Sequence, residues 1–282
     1  MTVEQFLKNH GYSHGCLVHL KKTEAGIKKN GVWAYVKERL EENDVLETIF
    51  IETEPSENII PSELPLDIRY EDQDLLVVNK GADMPIHPSM GNYENSLANS
   101  VVNYYEKQGE SFVFRCINRL DRDTTGLVVI AKNMLSGAVL NQAMIQRQIH
   151  RTYLAVVKGS LPDQGIIDLP IARKDASVIQ RCVDQERGER AVTHYECLTR
   201  TEKYSLAKIW LETGRTHQIR VHMNAIGHSL PGDFLYHPDF TEIQRQALHS
   251  WKLEFVHPIT GELMKFEQPL PEDMQSLIKT AK

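Results

Sequence analysis

The run Asn118-Arg119-Leu120-Asp121-Arg122-Asp123-Thr124-Thr125-Gly126 sets one carboxylate between two arginines, in a polar, turn-rich stretch that leads into the apolar residues 127–131. A loop held by a rigid strand is a common station for a catalytic group. Arg119 lies two residues before Asp121 and Arg122 one after it, so either guanidinium can hold the carboxylate ionised. An ionised carboxylate can act as nucleophile or as base. The same residue types also suit a plain turn with solvated charges, and spacing alone does not decide between the two.

A second run, Thr213-Gly214-Arg215-Thr216-His217-Gln218-Ile219-Arg220-Val221-His222, gathers cations where a helix is expected to start. With Thr216 as its cap, Arg215, His217 and Arg220 crowd the first turn beside free backbone N–H groups. The helix dipole disfavours cations at that end. The crowding therefore points to an anion, either a phosphate or a carboxylate such as Asp121; a solvent-exposed first turn is the plain alternative. In a third run, Arg151-Thr152-Tyr153, the tyrosine heads a β-rich segment. It serves either as strand packing or as a ring on which an extruded base can stack.

Capping residues and apolar spacing outline the elements that must carry these groups. Thr2 predicts a helix over 3–9 with Gly11 beyond its end, and Ser13 a second helix to about residue 22. Asn30-Gly31 is a hairpin signal, and 44–51 ends as a strand. Pro55, Pro61 and Pro65, with Ser and Glu between them, mark a linker over 55–65. This divides the chain into a small module over 1–54 and a large domain over 66–282. In the latter, 75–79, 127–131 and 152–157 read as strands and 134–149 as a helix. Residues 192–199 and 205–212 read as a strand pair across Thr201-Glu202-Lys203, and Gly227 sits where a helix-ending glycine belongs. The strands lack a βαβ rhythm, which favours an α+β fold with a mixed, largely antiparallel sheet.

At 282 residues, 41% hydrophobic and 25% charged, the chain is neither disordered nor fibrous. No apolar run is long enough for a membrane span, and the start has no signal-peptide core, so a cytoplasmic location is expected. The four cysteines are scattered and read as reduced thiols. A net charge of −6 counts against indiscriminate nucleic-acid binding. Residues 112–153 nevertheless hold six basic side chains against two acidic ones, a basic groove on an acidic body.

Taken in series, these motifs resemble the RluA-type RNA pseudouridine synthases. Asn118 to Gly126 is similar to that family's His-Arg-Leu-Asp-x-x-Thr-Ser-Gly signature, and Gly214 to His222 to its Gly-Arg-Thr-His-Gln-Ile-Arg-x-His stretch. Gly232-Asp233 with Tyr236 resembles the Gly-Asp-x-x-Tyr that follows. Ile68-Arg69-Tyr70-Glu71-Asp72, Val77-Val78-Asn79-Lys80 and His87-Pro88 resemble its opening strand and loop. The likeness runs in order from about residue 65 to 270. It departs at Asn118 for histidine, Thr125 for serine and Gly81 for proline; the first two keep hydrogen-bonding capacity, and the third loosens its loop.

The resemblance implies a catalytic cleft in a central sheet with flanking helices, and an S4-like RNA-binding module at the N-terminus. It implies isomerisation of a uridine in ribosomal or transfer RNA, without cofactor or metal; independently of the resemblance, a monomer is expected. Asp121 is then the catalytic carboxylate, Tyr153 the base-stacking ring and Arg220 the salt-bridge partner of Asp121. Arg119 occupies the vacated stack or grips flanking RNA, and Asn118, Arg122, Thr125, Gly126, Arg215, Thr216, His217 and Gln218 contact the substrate. Two other classes are weighed against this. A metal hydrolase would use His217, His222, His228, His237, His249 and His257, but His217 and His222 fall on different helix faces and no His-Glu-x-x-His is present. A non-catalytic RNA binder would have no need to retain Asp121, Tyr153 and Arg220 together.

Overall fold

Side-chain caps start the chain as expected. The Thr2 hydroxyl accepts from Gln5 N while the Gln5 side chain returns to Thr2 N, and helix α1 (Val3–Asn9) follows; Ser13 caps α2 (His14–Lys22). Strands β1 (Ile27–Lys29), β2 (Val32–Trp33) and β3 (Leu46–Thr48) form a small antiparallel sheet in the order β2-β1-β3. Asn30 and Gly31 between the first two have φ of 52° and 78°, the primed turn that suits strand twist. Val3, Leu7, Leu17, Leu20, Ile27 and Ala34 give this module its own core. The computed structural model describes residues 1–52, 56, 59–175 and 177–279.

Of the expected linker over 55–65, Pro55, Glu57 and Asn58 lie outside the described residues, as do 280–282 at the far end. Residues 59–65 form a strap on helix α3 (Leu97–Glu106), an element that the sequence analysis does not predict. Asn99 Nδ2 donates to Ile60 O at 2.7 Å and Ser100 Oγ to Leu64 O at 3.1 Å.

The large domain is built on a ten-stranded sheet. Its strands are β4 (Ile68–Glu71), β5 (Leu75–Lys80), β6 (Arg115–Cys116), β7 (Thr125–Ala131), β8 (His150–Lys158), β9 (Gln164–Asp168), β12 (Val192–Arg200), β13 (Tyr204–Leu211), β14 (Leu248–Val256) and β15 (Leu263–Glu267). A separate hairpin holds β10 (Ile171–Arg173) and β11 (Arg181–Val183). The main order is β4-β5-β7-β14-β8-β13-β12-β9, with β6 on β7 and β15 on β14. Every pairing is antiparallel except β7 with β14, which meet over two residue pairs only, Thr125 with His249 and Gly126 with Ser250. Beyond that joint the two strands part, and the sheet becomes two halves hinged at one corner.

Helices cover both faces. α3 and α5 (Gln218–Ala225) bury Leu97, Val101, Tyr105, Ile219 and Met223 against Val78, Val128, Ala155 and Ile209 on one face. α4 (Met134–Ile145) packs Leu140 on the other, and α6 (Glu272–Ile278) packs Met274 and Leu277 there. α4 stops four residues earlier than its apolar spacing predicts, and Arg147 just past it takes a left-handed φ of 60°. Among the described residues no helix is long and apolar enough to cross a membrane.

Candidate active site

Asp121 sits on the loop between β6 and β7, beside the corner joint. Two buried side chains fix that loop. Asn118 is fully buried, donating to Leu127 O at 3.0 Å and accepting from Val129 N at 2.8 Å. Lys80, 1% exposed, donates to Gly81 O, Met84 O and Arg122 O at 2.7, 2.8 and 2.8 Å. Three carbonyls match the three N–H bonds of an ammonium. Burial pushes the lysine down to about 7, opposed in part by Asp123 and Asp121. Gly126, at φ 111°, lets β7 meet β14: a Cβ there would stand 2.3 Å from Ser250 O.

The cation that meets Asp121 comes from the other half of the sheet. Arg220, in the first turn of α5, donates from Nη1 to Asp121 Oδ2 at 2.8 Å. Its Nε and Nη2 form a fork on Asp233, at 2.7 and 2.8 Å, and both Arg220 and Asp233 are buried to 1% exposure. Burial opposes the Arg220 charge, but its bond to Asp233 and the fields of Asp121 and Asp233 outweigh it, and its pKa ends above the ordinary value. The rings of Tyr236 and Phe234 stand 5.1 and 5.5 Å from the guanidinium carbon.

The start of α5 differs from expectation. His217, not Thr216, is the first cap residue; it is left-handed at φ 58° with no side-chain cap bond. The N–H groups of that turn gain no side-chain cap, and the bend is held instead by Gln218. Its Oε1 accepts from Thr213 Oγ1 and Arg215 N, while Nε2 donates to Val192 O and Thr193 Oγ1. Tyr236 OH accepts from Arg181 N at 2.9 Å and is hydrogen-bonded to His217 Nδ1 at 3.0 Å. The Nε2 of that ring faces Asp121 Oδ1 across 4.0 Å. Burial lowers the His217 pKa against the pull of Asp121, which favours a neutral imidazole.

Tyr153 on β8 is 5% exposed and lines a small pocket of about 70 Å³ with Asp121, Leu211, Ile219, Arg220 and Leu248. Its hydroxyl makes no hydrogen bond among the described residues. Arg119, Asp121 and His217 also line a cleft of about 1360 Å³, so pocket and cleft share a wall. Arg215 and Thr216 border that cleft, with Arg215 paired to Glu189.

Several expected contacts lie elsewhere. Asn118 is spent on backbone groups of β7. Thr125 points to His249 Nδ1 at 2.8 Å, Gly126 packs on Ser250, and Arg122 pairs with Asp123 at 2.9 Å. Neither Arg119 nor Arg122 touches Asp121: the chain directs these neighbours in sequence away from it, and a residue 99 positions on takes their place. Lys80 and Asp233 were given no role from sequence, although both fall inside the recognised runs. Five of the six histidines of the metal reading are spent on hydrogen bonds, and the sixth, His237, stands 3.9 Å from Asp239. His222 reaches Thr193 Oγ1 and Leu169 O, both at 2.8 Å, and His257 reaches Asp72. Asp72, Asp74 and His257 do cluster, but the two oxygens of Asp72 already accept from Asp74 N, Leu75 N, Tyr70 OH and His257.

A family model described as RNA pseudouridylate synthase matches residues 74–225. The chain is 40% identical over 280 residues to the Bacillus subtilis RNA pseudouridine synthase YjbO, covering 99% of each chain. It is 42% identical to ribosomal large subunit pseudouridine synthase D of Zymomonas mobilis, over 78% of this chain and 74% of that one. Among solved structures, human RNA pseudouridylate synthase domain containing 1 superposes with a TM-score of 0.60 at 25% identity, over 77% of this chain and 86% of that one.

Proposed function

Because the chain belongs to the RNA pseudouridylate synthase family, an isomerase family, we propose that Asp121 is the group through which it detaches uracil from a uridine in RNA and rejoins it through carbon. The bond from ribose C1′ to N1 breaks, the base turns, and C1′ bonds to C5; the hydrogen lost at C5 is matched by one gained at N1. The observation that carries this reading is the Asp121 carboxylate, bonded to the buried Arg220 at the mouth of a pocket that Tyr153 lines. Arg220 neutralises the carboxylate without taking up both oxygens, so Oδ1 remains available to the sugar, as nucleophile or as base.

The target base must leave its stack, which costs a few kcal/mol. Stacking on Tyr153 and bonds within the pocket offset that cost, and Arg119, which has no ion-pair partner among the described residues, fills the vacated place or holds the flanking strand. The name of the Zymomonas relative favours ribosomal RNA as substrate, with transfer RNA the other choice. Maps of pseudouridine in cellular RNA with and without the protein assign the position. We read the protein as acting as a monomer, and an RNA substrate fits a cytoplasmic location. Residues 1–54, with their own core and a stacked, exposed Trp33–Tyr35 pair, are read as an S4-like RNA-binding module.

Asp121→Asn keeps the shape of the side chain but removes both nucleophile and base. It is expected to abolish pseudouridine formation, read by tritium release from 5-tritiated RNA, while RNA affinity stays within a few-fold. Turnover above about a tenth of wild type would end the role given to Asp121.

A further inference from the structure

The cleft beside Asp121 is larger than one nucleoside needs. At about 1360 Å³ it exceeds the roughly 300–1,000 Å³ of small-molecule pockets. Asp121, Arg147, Arg151 and Trp210 are all among the residues that line it. Arg151 has no hydrogen-bond or ion-pair partner among the described residues. Arg147 is exposed, and its nearest carboxylate, Glu212, stands 3.9 Å away. Glu212 adds little repulsion, since Arg190 and His194 hold its two oxygens at 2.9 Å.

Trp210 pairs across strands with Thr152, one residue before Tyr153. Its indole is 37% exposed, and the His194 ring stacks on it at 5.4 Å with an interplanar angle of 10°. The indole lines the cleft with the His194 ring stacked on it and the Lys208 ammonium 5.7 Å from its ring centroid. Cations and an aromatic ring lining one cleft match a chain of phosphates with bases free to stack. A continuous helix keeps its bases stacked on one another and offers no face to an indole.

We propose that Trp210 is a stacking subsite for an unpaired base flanking the target uridine, with Arg151 and Arg147 on the phosphates between. It rests on the reading of Asp121 as the reacting group, and it adds that the target lies in a loop or single-stranded segment.

The test measures binding of the full chain, as wild type, Trp210→Ala and Trp210→Phe, to a single-stranded 12-mer oligoribonucleotide and to a duplex of the same sequence. Loss of at least about fivefold for the alanine variant on the single strand, with phenylalanine near wild type and the duplex unchanged, is the expected result. A smaller loss, or equal losses on both probes, overturns the proposal. Thermal melts of the variants check that the fold is kept. Turnover of Asp121→Asn is read separately: if that variant stays active while the Trp210 pattern holds, the catalytic reading fails and the subsite stands.

Discussion

Arg220 holds two carboxylates at once, and the two bonds differ in kind. The fork on Asp233 is buried and structural, and the single bond to Asp121 reaches the pocket. Arg220→Met leaves Asp233 charged, buried and unpaired, and should cost about 3–5 kcal/mol in urea unfolding. Adding Asp233→Leu should restore most of that stability without restoring turnover; recovery of both would show that Arg220 serves the fold alone. For Tyr153, stacking as the main role predicts that Tyr153→Phe keeps substantial activity and Tyr153→Leu loses most of it. Equal losses would point to the hydroxyl, which has no partner among the described residues. Asp121, Tyr153 and Arg220 were legible as runs of letters. The neighbours of Asp121 were not, because the loop turns Arg122 onto Asp123, and Asn118 and Lys80 inward, directions that sequence spacing does not encode.

Elements were most legible where a side chain marks their end. Thr2, Ser13 and Asn30-Gly31 gave their helices and hairpin the expected bounds because each makes a local bond or turn that needs no tertiary partner. The start of α5 was misplaced at Thr216 because the actual cap, His217, is set by contacts with Tyr236 and by the Gln218 clamp, both beyond local reach. α3 was missed although Ser96 caps it and Leu97, Val101 and Tyr105 follow at helical spacing; that signal was present in the sequence. The joint between β7 and β14 rests on Gly126. Gly126→Ala sets a methyl carbon against Ser250 O at a backbone angle suited to glycine. It should lower stability by about 2–4 kcal/mol and cut turnover at least tenfold, because Asp121 shifts relative to Arg220. Thermal unfolding with turnover at saturating RNA checks this, and an unstable variant that is fully active when folded would remove the joint from the catalytic argument.

For the molecule as a whole, the two half-sheets share one corner, and His249 is buried in it. Its Nδ1 meets Thr125 and its Nε2 meets Gln268 O. Burial lowers this histidine from the ordinary 6.5 to about 4. Between those values the unfolded chain carries a proton that the folded chain does not, so stability rises with pH there and falls as the pH drops from about 6.5 towards 4. The full traverse is worth roughly 3 kcal/mol. His249→Gln should flatten that acid limb in urea unfolding at a series of pH values; an unchanged limb would mean that other groups set it. Sheet order was the least legible level, since nothing local tells β14 to enter between β7 and β8.

That insertion has a consequence for biosynthesis. While the polypeptide emerges from the ribosome, β7 and β8 are both made long before the strand that joins them, and β8 presents an open edge to the crowded surroundings until then. Asp121 and Arg220 are already synthesised by then but have no frame to bring them together. The 2.8 Å contact between them therefore depends on a strand that the chain makes after both.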